Sequence, residues 1–280
     1  MASTSQTPIR DALMSIYSSL ALEQKGRVTK GRDSEGDEFE SIGEMWSLLG
    51  VSLDDNANND AEWYTCAAEY YEDNCPGTLD GVLGGFASIT TADLAGSKRF
   101  LENLQDKVPS IDWSSGAGCE CGAGIGRVSK GLLLPLGVTR CDLVESSARL
   151  LSVAPEFIGD PGASKCRYIC DTLQHWEPPK DTYSLIWVQW VLVYLTDTDI
   201  IKFLRRCGEA LKQGGVICLK ENTCDSELFV LDRDDASLTR SVPFLLRLVE
   251  ASGLVVAHYE TQDDFPDDLF AVPMIALVKP

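Results

Sequence analysis

Residues 119–128, CECGAGIGRV, place an acid (Glu120) ahead of three alternating glycines (Gly122, Gly124 and Gly126) and a base (Arg127). Glycines at this spacing let the backbone approach a ligand closely at a strand-to-helix turn. A dinucleotide-binding turn would carry its third glycine where Arg127 stands, and no Gly-Lys-Ser/Thr closes a P-loop. Glu120 would repel a pyrophosphate but can meet an ammonium group, while Arg127 can hold a carboxylate through a charge-assisted fork. S-adenosylmethionine, whose nucleoside carries an amino acid, suits both. Glu145 closes the next apolar run, TRCDLVE, where an acid accepts hydrogen bonds from ribose hydroxyls in methyltransferases and dehydrogenases alike. Each feature alone also fits a plain tight corner; together they favour the methyl donor over a dinucleotide.

A second set of groups is mostly acidic. The 280 residues carry 24 basic and 43 acidic side chains, a net charge of −19, which argues against a nucleic-acid partner and favours a cationic one. Acids cluster in ENTCDSELFVLDRDDASLTR (221–240) and ETQDDFPDD (260–268), after expected strands, where open α/β folds keep their sites. A solvated acidic surface is the alternative. The ten cysteines contain no Cys-x-x-Cys pair, and the two histidines, His175 and His258, stand apart from them, so no metal is expected and the thiols read as reduced and mostly buried. The longest mostly apolar run, Leu185 to Leu195, is 11 residues, too short to span a bilayer. No secretory signal is readable, so the expected location is cytoplasmic, with nuclear entry open.

Holding the glycine turn beside Glu145 requires neighbouring parallel strands. From Asp112 onward short apolar runs alternate with helical patterns, predicting strands at 117–121, 139–144, 166–170, 184–190, 215–221, 254–260 and 271–278. Thr196 is the expected cap of one helix, with Asp199 completing a capping-box-like pair and Gly214 and Gly215 stopping it. A second helix spans 243–252, with Pro243 in its first turn and Gly253 just past its end. Residues 1–60 read as a polar N-terminal extension, partly helical or flexible, with weakly amphipathic stretches at 9–22 and 39–53.

The stretches LDGVLGGF (79–86), CGAGIGRVSKGLLLPL (121–136), LIWVQWVLVYLTD (185–197), FLRRCGEALKQGG (203–215) and KENTC (220–224) resemble the protein alpha-N-terminal methyltransferases. The resemblance covers about residues 63–280. It implies a class I, S-adenosylmethionine-dependent methyltransferase domain over 61–280, with a Rossmann-like seven-stranded α/β sheet, helices on both faces, a lid at 70–90 and the helical extension before it. It implies methylation of the free α-amine of proteins beginning Xaa-Pro-Lys or Xaa-Pro-Arg, leaving S-adenosylhomocysteine.

By the same resemblance the cofactor contacts fall on Gly122, Gly124, Arg127, Glu145, Ser147, Leu173, Gln174 and Gln189. Trp190 is implied to stack on the substrate's proline, Asn222 to position the amine, and Asp232, Asp235 and Ser237 to receive the cationic third residue. Leu83 and Gly84 belong to the lid over the peptide, behind Tyr70 and Tyr71. Without the family, Trp190 and the tyrosines would serve equally as core aromatics, and the acids as a solvated loop. Three positions depart from the family pattern: Tyr71 replaces a tryptophan in a segment one residue longer, Tyr194 replaces a histidine, and Phe270 replaces a tyrosine.

The implied catalytic residues are Asn222 and Asp235, the latter to receive or relay the amine's proton, because a phenol such as Tyr194 is a poor base at neutral pH. Two other readings compete: a methyltransferase for a small molecule or an internal side chain, and a non-catalytic module that binds the same cofactor.

Overall fold

Apolar strands buried on both faces need cover from helices on each side, and the chain supplies them in alternation. The computed structural model describes residues 8–23, 31–53, 61–225 and 228–280. Helix α1 (Ile9–Glu23), strands β1 (Gly31–Asp33) and β2 (Glu38–Phe39), and helices α2 (Ile42–Leu48) and α3 (Ala61–Glu69) come first. A π-helical turn (Tyr70–Asn74) and the short α4 (Leu79–Val82) lead to α5 (Thr90–Lys107). Next come β3 (Ala117–Cys121), β4 (Cys141–Glu145), α6 (Ala148–Ile158), β5 (Cys166–Cys170), β6 (Tyr183–Gln189), α7 (Asp197–Ala210) and β7 (Leu211–Lys220). The chain ends with β8 (Thr223–Cys224), β9 (Phe229–Asp232), β10 (Ser237–Ser241), α8 (Val242–Ser252), β11 (Val255–Thr261) and β12 (Pro273–Val278).

All seven expected strands form one sheet in the order β11-β12-β7-β6-β3-β4-β5. Its strands run parallel except β12, which is antiparallel to both β7 and β11. Strand order reverses at β3, so the crevice over the carboxyl ends of β3, β4 and β6 is where such a sheet binds ligands.

Two local expectations change. Helix α7 stops at Ala210, four residues before Gly214, because buried Leu211 already pairs with Tyr183 in the sheet. The register then slips until Val216 meets Leu185, and Gly214, at φ +73°, turns the chain within that bulge. At the start of α7, Thr196 Oγ1 accepts the Asp199 amide at 3.2 Å as expected, but the Thr196 amide donates to the Tyr64 hydroxyl, so only half of the capping box forms. Helix α8 behaves as predicted, ending at Gly253 with φ +85°.

The largest difference lies before residue 60. The polar run at 54–60, and with it the expected boundary, lies outside the described residues, but the described residues ahead of that run, 8–23 and 31–53, pack into the fold. Strand β1 pairs with β9 in a second sheet, β2-β1-β9-β10-β8, that the sequence pattern does not predict. Leu13, Leu20, Met45 and Trp46 are fully buried in the same core as β6 and α7, each large apolar side chain contributing about 1.5–3 kcal/mol. Asp197 is the polar pin: it accepts from Tyr17 (2.5 Å), Trp46 (2.7 Å) and Arg240 (2.8 Å). None of the described helices is long and apolar enough to cross a membrane.

Candidate active site

A cavity of about 1160 Å³, its open mouth included, lies over the carboxyl ends of β3, β4 and β6. Gly122 and Gly124 shape its floor at φ +70° and +52°, where glycine bears no steric cost. A Cβ on Gly122 would stand 2.7 Å from Val191, so the backbone itself is the wall there. Glu120 is not free to meet an ammonium, as the sequence suggested. Its oxygens accept the amides of Val128 (3.3 Å) and Ser129 (2.6 Å), clamping the end of β3 to the helical turn beyond the glycines, and burial pushes its pKa up to about 7. Glu145 bridges in the same way: it accepts from Gly124 N (2.8 Å) and Ser147 N (2.9 Å) while lining the cavity.

Leu173 and Gln174 also line the cavity, and Arg206 of α7 steadies their loop by donating to both carbonyls, at 2.7 and 3.1 Å. Ser147 lies outside the lining. Its hydroxyl accepts the Leu150 amide as the cap of α6 and donates to Glu72 at 2.7 Å, and Ser146 faces the cavity instead.

Arg127 and Gln189 both line the cavity, and one residue that sequence reasoning missed holds them. Asp93, fully buried in the first turn of α5, accepts from Arg127 (2.6 Å) and from Gln189 Nε2 (2.8 Å). The Gln189 carbonyl in turn accepts from Trp187 at 2.8 Å, so its amide is oriented at both ends. Lys220, with no exposed surface, pairs with Asp93 at 2.6 Å and donates to Gln262 at 2.7 Å. Burial depresses its pKa to about 8 despite the attraction of Asp93. The available signal was Lys220 itself, because a lysine inside a buried strand requires an acid partner.

These residues fit an amino-acid-bearing nucleoside. Glycine backbone lies where a side chain would fill the space, a carboxylate stands at the end of β4, Leu173 offers an apolar face, and a fixed guanidinium retains further N–H donors.

At the other end of the cavity stand Tyr71, Leu83, Trp190 and Tyr194. Tyr70 and Tyr71 open a π-turn, which takes up one residue more than an α-turn and so accommodates the longer segment. The Tyr71 and Tyr194 hydroxyls are hydrogen-bonded, their rings edge-on at 5.2 Å, and Tyr194 donates to Asp235 at 3.3 Å. Asp235 Oδ1 is buried with no protein partner. Burial, reinforced by Asp232, raises the Asp235 pKa, and the Tyr194 hydrogen bond opposes the rise.

Trp190 adopts φ +52°, costing about 1–3 kcal/mol for a residue other than glycine. Glu221 holds that conformation by accepting from Val191 N (3.0 Å), Leu192 N (2.8 Å) and Asn222 N (3.0 Å). The Trp190 indole N–H is buried without a protein partner, and the Arg127 guanidinium stands 5.4 Å from the ring centre.

Asp235 reaches the cavity only through its bond with Tyr194, and neither it nor the remaining expected residues are among those that line it. Asp232 and Ser237 face each other across the β9–β10 hairpin that carries Asp235. Asn222 is half-buried after β7, and Gly84 is exposed in the lid segment at φ +57°. Phe270 is 43% exposed on the loop before β12.

Comparison with known proteins gives the arrangement a lineage. Residues 59–278 match the AdoMet dependent proline di-methyltransferase family. The N-terminal Xaa-Pro-Lys N-methyltransferase 1 of Xenopus tropicalis is 36% identical over 219 residues, covering 78% of this chain and 96% of that protein. The alpha N-terminal protein methyltransferase 1 of Arabidopsis thaliana is 37% identical over 253 residues, covering 88% and 90%. A solved SAM-dependent methyltransferase from Leishmania major superposes with a TM-score of 0.79 at 34% identity, covering 90% of this chain and 97% of that one.

Proposed function

The chain belongs to the AdoMet-dependent proline di-methyltransferase family, and on that premise we propose that it methylates the free α-amine of proteins beginning Xaa-Pro-Lys or Xaa-Pro-Arg. Its cofactor is S-adenosylmethionine, with S-adenosylhomocysteine as product. The observation that carries the substrate reading is that two of the buried polar atoms without protein partners, Trp190 Nε1 and Asp235 Oδ1, belong to a residue that lines the cavity and to the bonded neighbour of another, Tyr194. Such atoms are costly unless a ligand satisfies them, and here they flank an indole face suited to a proline ring and a carboxylate suited to a cation.

Arg127 would hold the amino-acid carboxylate of the cofactor, Glu145 the ribose diol, and Leu173 with Gln174 the adenine. The bound cofactor supplies an electrophilic sulfonium methyl group. The chain's own task is to present a neutral amine in line with it. A terminal amine titrates near pH 7.7–8.0, so losing its proton at pH 7 costs about 1–1.4 kcal/mol, and no strong base is needed. Burial lifts the Tyr194 phenol well above its ordinary pKa, and the neighbouring Tyr71 and Asp235 add to the shift. Tyr194 therefore stays protonated and donates, which leaves Asp235 as the proton acceptor and Asn222 to orient the amine. Alignment then supplies most of the acceleration.

A Ser-Pro-Lys peptide incubated with cofactor should gain methyl mass, whereas its N-acetylated twin should gain none. Equal methylation of both would move the chemistry to a side chain and end the proposal.

A further inference from the structure

The hairpin that carries Asp232 and Asp235 contains a cation of its own. Arg233 stands next to Asp232 and two residues before Asp235, close enough along the chain to pair with either and occupy the place of the substrate's basic residue. A tethered guanidinium competes at a local concentration on the order of millimolar, so a free Arg233 would mask the acids at ordinary peptide concentrations.

In the structure Arg233 is instead paired with the N-terminal segment. Strand β1 runs parallel to β9, with Arg32 opposite Val230 and Asp33 opposite Leu231. Packing holds the two together: a Cβ on Gly31 would fall 1.9 Å from the Phe229 ring, and Phe39 packs against the same ring at 5.9 Å. Asp33 is fully buried at the end of β1. Its Oδ1 accepts the amides of Glu35 (3.1 Å) and Asp37 (2.8 Å), and its Oδ2 accepts Arg233 Nε at 2.6 Å. The carboxylates of Asp33, Glu35 and Asp37 lie within 4.8 Å of one another, and Glu35 and Asp37 add their attraction to the Arg233 charge. Arg233 therefore faces this acidic cluster.

We propose that Asp33 is a positioning residue for substrate recognition: by holding Arg233 against the N-terminal segment, it leaves Asp232 and Asp235 open to the substrate's cationic third residue. The inference rests on the substrate reading above. It also gives the segment before residue 54 a part in specificity.

Asp33→Asn suits the test, because the amide oxygen can keep the Glu35 and Asp37 bonds while the amide nitrogen cannot accept from Arg233. Steady-state kinetics on the full chain would compare a Ser-Pro-Lys peptide with Ser-Pro-Gln, which lacks the cation. D33N should raise KM for the Lys peptide about 2- to 5-fold, the range of a partly exposed ion pair. The cofactor KM should hold steady, and KM for the Gln peptide should be unaffected. Arg233→Gln alone should leave the Lys-peptide KM at or below the wild-type value, and adding R233Q to D33N should restore it. If R233Q raises KM as D33N does, or the double variant stays as poor as D33N, the pair is mere scaffolding and the proposal fails. A wild-type enzyme that does not prefer Lys over Gln would instead remove the role of the acidic pair itself, and the inference with it.

Discussion

The two ends of the cavity are built on opposite principles. At the cofactor end, Glu120, Arg127, Glu145 and Gln189 are each bound to partners within the protein, so the pocket keeps its shape without a ligand. At the peptide end, Trp190 Nε1 and Asp235 Oδ1 are buried without protein partners, and Trp190 is held in a backbone conformation it does not favour. The first end is preorganised, and the second is completed by what it binds. Damage at the cofactor end should therefore appear as lost stability and lost cofactor together, and damage at the peptide end as lost peptide recognition alone.

The largest effect is expected at Asp93. Asp93→Asn leaves two buried cations, Arg127 and Lys220, without their carboxylate, and breaking a buried pair in this way costs about 3–5 kcal/mol. Denaturant melts should show that loss, and calorimetry should show cofactor binding lost with it. Full stability with weakened cofactor affinity alone would mean that the two functions of the hub are separable. Gly122→Ala comes next. Positive φ and the approach to Val191 together should cost about 1–3 kcal/mol, read as weaker cofactor binding before any change in peptide KM.

The same contrast explains what the sequence disclosed. The strands and the glycine turn were legible because local pattern decides them: short apolar runs, alternating glycines and capping residues each act over a few positions. Residues such as Gly122, Glu145, Leu173 and Gln189 came from the turn and the resemblance, and all line the cavity. Asp93, Asp33 and Glu221 were not legible, because their partners lie 34, 200 and 30 residues away in the chain and no spacing rule reaches that far. The helix boundary at Ala210 failed for a related reason, since the pairing of Leu211 with Tyr183 outweighed the local glycine signal. The N-terminal segment looked loose because its composition is polar, yet a few apolar residues at the right spacing were enough to bury it.

At the peptide end the effects should be selective. Asp235→Asn removes a charge but keeps the shape. A hydrogen bond to a charged group is worth about 1.5–3 kcal/mol, so kcat/KM on a Ser-Pro-Lys peptide should fall about 10- to 150-fold while cofactor affinity and melting temperature stay near wild type. A parallel loss of cofactor binding would erase the contrast between the two ends.

The smallest and sharpest effect belongs to Tyr194→Phe. Phenylalanine keeps the edge-on contact with Tyr71 but removes the hydroxyl that bonds the Tyr71 hydroxyl and donates to Asp235 at 3.3 Å; of the two bonds only the long one to Asp235, worth no more than about 1 kcal/mol, touches the proton acceptor. The rate at pH 8 should drop less than about fivefold. The pH profile should shift as well. Burial raises the Asp235 pKa and the Tyr194 hydrogen bond opposes that rise, so without the hydroxyl Asp235 should take up its proton at a higher pH as the solution is acidified. The acid limb of kcat/KM should therefore move upward, while the limb set by the substrate amine, near pH 7.7–8.0, stays in place. An acid limb unmoved in Y194F would show that Asp235 does not set it, and would return the proton to solvent.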